Sequence, residues 1–254
     1  MIKVNLTNDI LKDILEIEKS RYKVSDVKFP KNIANKLRKN SKKKSAYSSN
    51  KIEGNPLSEK QVEEIIESDE RKHFLKPEQE IRNYFLALNY LEECISKKIA
   101  FSKELILEVQ KLVEKGASKE KIGFRGPTPP GVLFAVYDSI TGNPDYIPPE
   151  YCDIPLLIEE LVKYVNSTSD HPLIIAAVVH YQIVTIHPFE DGNGRTARLL
   201  SNYILDLNGY GFNGISGIYC NHDMQNKLKS RQKSNLFDIS FNISGLFTKN
   251  IKWL

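Results

Sequence analysis

Apolar residues recur at helical spacing along most of this chain. Residues 7–19 open with Thr7-Asn8-Asp9 and carry Ile10, Leu11, Ile14, Leu15 and Ile17 on one side, which predicts a first amphipathic helix. Ser58 caps a helix through about Ser68, and Pro77 starts a longer one to about Ser96 with Ile81, Tyr84, Phe85, Leu88 and Leu91 inward. Ser102 caps the next, with Leu105, Ile106, Val109, Leu112 and Val113 inward and Gly116 at its end. A further amphipathic helix is expected from Pro148 to Asn166. Leu173 to Ile186 is almost unbroken apolar sequence and reads as a helix buried on every side. Leu199, Leu200, Tyr203, Ile204 and Leu207 form a last strong helical pattern, stopped by Asn208-Gly209. Between Gly123 and Pro149 the pattern changes. Prolines and glycines surround a strand-like run, Val132 to Tyr137, then a turn at Thr141-Gly142-Asn143-Pro144 and a return strand at Asp145-Tyr146-Ile147. The expected fold class is therefore mainly α, with one small exposed hairpin at about 131–147. After Gly211, Ile215 to Tyr219, a helical run through Arg231 and Leu236 to Thr248 complete the pattern.

Composition narrows this only slightly. The 254 residues are 41% hydrophobic and 27% charged, ordinary for a globular protein. A net charge of +4 is too mild to argue for nucleic acid or a membrane as partner. Leu173 to Ile186 is too short to span a bilayer and contains His180 and Gln182. The cysteines, Cys94, Cys152 and Cys220, are far apart and form no CxxC, so reduced thiols and a cytoplasmic location are expected, with no zinc site. The N-terminus has no signal-peptide apolar core.

The chemistry concentrates in His187-Pro188-Phe189-Glu190-Asp191-Gly192-Asn193-Gly194-Arg195-Thr196-Ala197-Arg198, a tight polar loop between two buried helices. Gly192 and Gly194 allow φ > 0 and close approach of backbone N–H groups to an anion. The N-terminus of the following helix favours phosphate. Arg195 and Arg198, at i and i+3, offer planar forks that match phosphate oxygens. Asp191 is a hard oxygen ligand suited to a phosphate-bound Mg²⁺. His187 titrates near neutral pH, as a general base must. Taken singly, each has an ordinary explanation: a helix-end histidine, a Gly-Asn-Gly turn, a surface ion-pair network. Together they read as a base beside a polyphosphate cradle, a phosphoryl- or nucleotidyl-transfer site. His171 reads as a cap or a solvent-facing residue and His180 as a core histidine, neither of them catalytic.

Two upstream stretches also carry a choice. Lys36, Arg38, Lys39, Lys42, Lys43 and Lys44 form a basic run, either a solvated helix face or a docking patch for an acidic partner. In Ser45 to Pro56, Ser49 and Glu53 stand one helical turn apart, and Gly54 or Asn55 can adopt the left-handed stop before Pro56.

The polar loop resembles the signature of the Fic family, His-x-Phe-x-(Asp/Glu)-Gly-Asn-Gly-Arg-x-x-Arg, and every fixed position matches. The resemblance implies a Fic fold, a helical bundle around the signature loop, and transfer of AMP from ATP to a Ser, Thr or Tyr hydroxyl of a target protein or of the enzyme itself. By position it makes His187 the base, Phe189 the loop anchor and Asp191 the Mg²⁺ ligand. Gly192, Asn193 and Gly194 would line the anion hole, and Arg195 and Arg198 would hold the β- and γ-phosphates. Ser49 to Gly54 is similar to the family's inhibitory motif, (Ser/Thr)-x-x-x-Glu-(Gly/Asn), which makes Glu53 an inhibitor of Arg198. The hairpin resembles the family's flap, along which a target segment docks. Two regions are expected: N-terminal helices at 1–56, with the inhibitory helix at about 45–55, and a Fic core at 57–254. A homodimer is compatible with the resemblance, and neither nucleic acid nor membrane is expected as a partner. The tyrosines common after the signature helix are replaced by Met224-Gln225-Asn226-Lys227, which leaves nucleobase preference open. Removal of AMP, transfer of another phosphate-containing group, and nucleotide sensing without turnover are the rival functions.

Overall fold

A computed structural model describes residues 2, 4–25, 27–68, 74–117, 121–137 and 141–211. The elements expected after Gly211, including Met224 to Lys227, lie outside the described residues. The helices are α1 (Asn8–Ser25), α2 (Lys31–Ile52), α3 (Glu59–Glu67), α4 (Lys76–Ser96), α5 (Lys103–Glu114), α6 (Ile154–Ser167), α7 (Pro172–Ile186) and α8 (Asn193–Leu207). The strands are β1 (Val136–Tyr137) and β2 (Pro144–Tyr146), and a 3₁₀ turn at Tyr151–Asp153 precedes α6.

Local chemistry sets most boundaries. Ser58 and Gln61 form a reciprocal capping box at the start of α3, and Ser102 accepts the Leu105 N–H at the start of α5. α1 runs beyond the expected residue 19. Its buried stripe is Ile10, Ile14 and Ile17, at i, i+4 and i+7, whereas Leu11 and Leu15 fall off that stripe and face solvent. α2 is one continuous helix, so the basic run and the Ser49–Glu53 segment belong to the same rod. Most of the basic run is paired, while Lys36 and Lys44 are exposed. Arg38 and Lys42 pair with Glu92 on α4, while Lys39 and Lys43 pair with Glu67 at the end of α3.

α7, apolar all round, is the central helix, and α8 packs along it more extensively than any other element. One core joins Ile10, Ile14 and Ile17 of α1 and Ala46 of α2 to the inward faces of α4, α5, α6, α7 and α8. It crosses the boundary expected at residue 56. α3 is covered by a smaller cluster, Val62, Ile65 and Ile81. The hairpin is shorter than its sequence suggests. Val136 pairs with Tyr146 and Tyr137 with Pro144, with a register break between the two pairs. Pro144 has no N–H to give the ladder, and Val132 to Ala135 form no strand. The Tyr146 hydroxyl donates to the Thr185 carbonyl at 2.9 Å, which ties the hairpin to the last turn of α7.

Candidate active site

α7 ends on His187, which adopts φ 48°, ψ 57°, the left-handed region that a residue with a side chain seldom enters. Arg125 explains how this is held. It is buried, its backbone N–H donates to the Pro188 carbonyl at 2.9 Å, and its Nε donates to the His187 carbonyl at 2.8 Å. Its Nη2 also donates to the Pro149 carbonyl. Its guanidinium lies 4.3 Å over the Phe134 ring, and that ring lies 6.1 Å from the His187 imidazole. One arginine thus joins the end of α7, the base of the hairpin and the approach to the loop. The sequence reading missed it, because nothing near Gly126-Pro127 marks an arginine as structural.

The imidazole of His187 is directed by a bond from its own helix. Nδ1 lies 3.2 Å from the Val184 carbonyl, an oxygen that can only accept, so Nδ1 carries the proton and Nε2 keeps its lone pair. Burial pushes the His187 pKa below its ordinary value; the Val184 carbonyl, Glu53 and Asp191 pull it back up, and Arg125 pushes it further down. The ring is neutral at neutral pH and fit to accept a proton.

The loop between α7 and α8 is built from its own residues. Phe189 is fully buried and stacks on Phe124 at 5.8 Å. The Asn193 side chain accepts from the Phe189 N–H at 3.0 Å and donates to the Phe189 carbonyl at 2.8 Å. The Asn193 side chain therefore turns inward to close the loop, which leaves its backbone N–H at the N-terminus of α8. Gly192, at φ +83°, is the N-cap of α8. Asp191 Oδ1 accepts the Gly192 N–H at 2.6 Å.

The two arginines, expected side by side on phosphate, are held by different carboxylates. Arg198 donates from Nε to Ser49 Oγ at 2.7 Å, and from Nη2 to the Ser49 carbonyl at 3.1 Å and Glu53 Oε1 at 2.5 Å. Ser49 and Glu53 reach it because α2 ends in a Schellman arrangement: Asn55 N–H bonds the Asn50 carbonyl, Gly54 N–H bonds the Lys51 carbonyl, and Gly54 sits at φ +84°. A side chain at Gly194 would collide with the Glu53 carboxylate, so glycine there admits it to the first turn of α8. An acidic group thus stands where a helix N-terminus attracts anions. The Glu53 side chain remains 39% exposed.

Arg195 is only 4% exposed and pairs with Glu114 of α5 at 2.8 Å and with Asp191 at 3.4 Å. Burial, with Asp191 and Glu80 nearby, pushes the Glu114 carboxyl up to about 7 against the pull of Arg195. Glu114 reads in sequence as an ordinary residue at the end of a helix, and no local signal marks it. His171 caps α7 through the Leu173 N–H, as expected. His180 lies beside the Arg198–Glu53 pair, and its Nδ1 has no hydrogen-bond partner among the described residues. Burial first, then Arg198, pulls its pKa down to about 4, so it is neutral at ordinary pH.

The donor set fits a Mg²⁺ ion carried on a polyphosphate. The Asp191 side chain is 42% exposed, and no cluster of three or more metal-ligating side chains occurs among the described residues. One hard carboxylate suits an ion that keeps several waters and takes its other ligands from phosphate.

The Fic/DOC family model matches residues 99–205. A protein from Drosophila melanogaster named protein adenylyltransferase Fic is 33% identical over 171 residues, covering 65% of this chain and 32% of that protein. The chain thus spans about a third of the length of the curated relatives it matches. A Fic family protein from Desulfovibrio desulfuricans shares the fold at a TM-score of 0.76 and 23% identity, over 96% of this chain and 74% of that one. Fic-1 from C. elegans does so at 0.76 and 24%, over 94% and 68%. No helix among the described residues is long and apolar enough to cross a membrane. The family model ends inside α8 and takes in the signature loop at its start, so residues 99–205 match the Fic/DOC family and the chain shares the fold of Fic family proteins.

Proposed function

We propose that this protein transfers AMP from ATP to a Ser, Thr or Tyr hydroxyl of a target protein, and that Glu53 restrains it. The observation that carries the reading is a neutral His187, its Nε2 unprotonated, at the mouth of a glycine-opened helix whose Arg198 is held by a displaceable carboxylate. His187 accepts the proton of the attacking hydroxyl through Nε2, a role worth roughly 10²–10⁴-fold in rate. The backbone N–H groups at Gly192, Asn193 and Gly194 and the fork of Arg198 receive the polyphosphate once Glu53 moves aside. Mg²⁺, when bound with the nucleotide at Asp191, supplies neutralising charge. The exposed β1 edge offers backbone groups to an extended target segment without demanding its sequence. A soluble, cytoplasmic setting suits reduced cysteines and ATP as co-substrate.

The test is incubation of the full chain with α-labelled and γ-labelled ATP in separate reactions. Retained α-label with no γ-label supports AMP transfer. Retained γ-label means phosphoryl transfer, and binding without label means a nucleotide sensor.

A further inference from the structure

Arg195 and Arg198 are one turn apart on α8, yet their partners differ in kind. Glu53 is a partner that can leave: it lies at a helix end and is substantially exposed. Glu114 cannot leave so easily. It is 3% exposed, sits in the last turn of α5, and has its surroundings fixed from two sides. The Asn83 amide of α4 donates to the Val113 and Lys115 carbonyls at 2.9 and 2.8 Å, pinning the backbone on either side of Glu114. Gln110, one turn earlier on α5, accepts the Gly123 N–H at 3.1 Å and donates to the Asp191 carbonyl at 3.5 Å. Glu114 Oε1 also fills the space beside Gly192, where a Cβ would lie 2.5 Å from it.

The same Arg195 nitrogen, Nη2, contacts Glu114 Oε1 at 2.8 Å and Asp191 Oδ1 at 3.4 Å. Asp191 Oδ1 is additionally held by the Gly192 N–H. A buried carboxylate on one rigid helix therefore grips an arginine, and that arginine steadies a half-exposed carboxylate in the loop. Glu80 of α4, 3.9 Å from Arg195 Nη1, adds negative charge on the same side. Without Glu114, the Arg195 fork would be drawn toward a polyphosphate arriving above it. Its hold on Asp191 would then loosen.

We propose that Glu114 is a positioning residue of the polyphosphate site: by holding Arg195 down, it keeps the Asp191 carboxylate oriented for Mg²⁺ and keeps Arg195 itself off the nucleotide. This rests on the function proposed above. It assigns Arg195 to orientation rather than to direct phosphate contact, and it makes the metal dependence of nucleotide binding a property of α5.

The test is calorimetric binding of ATP with Mg²⁺ and with chelator, using the full chain carrying Glu53→Gly as reference. The quantity read is the affinity gain on adding Mg²⁺. At pH 8, where the Glu114 carboxyl is mostly ionised, Glu114→Gln keeps the shape and removes the charge. It should cut that gain about tenfold, as outer-shell changes at metal sites do, partly through tighter metal-free binding as Arg195 is released. Asp191→Ala should cut the gain as much, and the double variant should cut it no further. A gain unchanged in Glu114→Gln, or one that falls in the double variant by the product of the two single effects, overturns the proposal. Should Glu114→Gln melt too low to assay, the paired change Glu114→Met with Arg195→Met replaces the buried ion pair by apolar volume, a substitution that folded proteins tolerate. A normal Mg²⁺ gain in that variant overturns the proposal equally. If the reference itself binds no ATP, or binds it without regard to Mg²⁺, the proposed function fails first and this inference falls with it. Loss of the gain in Glu114→Gln alone, with a normal reference, isolates the role of Glu114.

Discussion

Replacing Glu53 by glycine is the sharpest perturbation the structure offers. Glu53 Oε1 takes a 2.5 Å charge-assisted bond from Arg198 Nη2 and stands against Gly194 in the first turn of α8. Such a bond is worth about 1.5–3 kcal/mol, and the 39% exposure of the carboxylate argues for the lower half of that range. At 1.4 kcal/mol per factor of ten, about 1.5–2 kcal/mol corresponds to roughly 10–30-fold easier access of an anion to Arg198. Removal of a negative charge from the helix N-terminus acts in the same direction. The fold should survive, because Glu53 is the C-cap residue rather than an interior position of α2, and Ser49 still accepts two bonds from Arg198. Glu53→Gly should therefore raise incorporation of α-label from ATP, into the protein itself and into added lysate, by at least tenfold at equal protein and Mg²⁺. Glu53→Asp should release it partly, since the shorter side chain reaches Arg198 less well. Arg198→Ala should not mimic the activation, because it removes the anion's partner along with the inhibitor's. If Glu53→Gly labels no faster than the parent while His187 remains essential, the Glu53–Arg198 bond is a structural ion pair and the inhibitory reading is wrong.

His187→Ala should abolish labelling while calorimetry still shows ATP binding, because no phosphate contact is assigned to the imidazole; labelling at near the parent rate would remove His187 from the mechanism. The pH dependence follows from the same residue. Burial lowers its folded pKa, so the neutral base persists below the usual 6.5, and the acid limb of the rate profile should fall under that value. The same shift favours the neutral form in the folded state, so its contribution to stability is present above the unfolded pKa and is lost as pH falls through the folded one. A rate that already collapses above pH 6.5 would contradict the assignment. Arg125→Ala leaves the half-buried His187 and Pro149 carbonyls without their donor, at about 1 kcal/mol each, and should lower Tm by a few degrees; an unchanged melt would show that water replaces the guanidinium. Val136→Pro, which removes a backbone donor from β1, should reduce labelling of targets more than ATP affinity, and equal loss of both would point to general damage instead of lost docking.

The sequence by itself determined the helical architecture, because caps and apolar periodicity are local. Ser58, Ser102 and the Gly54-Asn55-Pro56 stop lie where those rules put them, and the unbroken apolar run at 173–186 could only be a buried helix. It also located the signature loop, whose residues are contiguous, and paired Ser49 with Glu53, which lie one turn apart. What it could not show were relations between residues far apart in the chain. Glu114 is an ordinary charged residue, and its pairing with Arg195 does not exist, until α5 and α8 pack together and the loop takes up its left-handed turn at Gly192. Arg125 is unremarked until it meets carbonyls at His187 and Pro149. The basic face of α2 read as a solvated or docking surface only because Glu67 and Glu92 are distant in sequence. The two signature arginines looked alike by spacing, and the tertiary structure separated them. Burial decides which carboxylate each meets, and whether that partner can be displaced by phosphate.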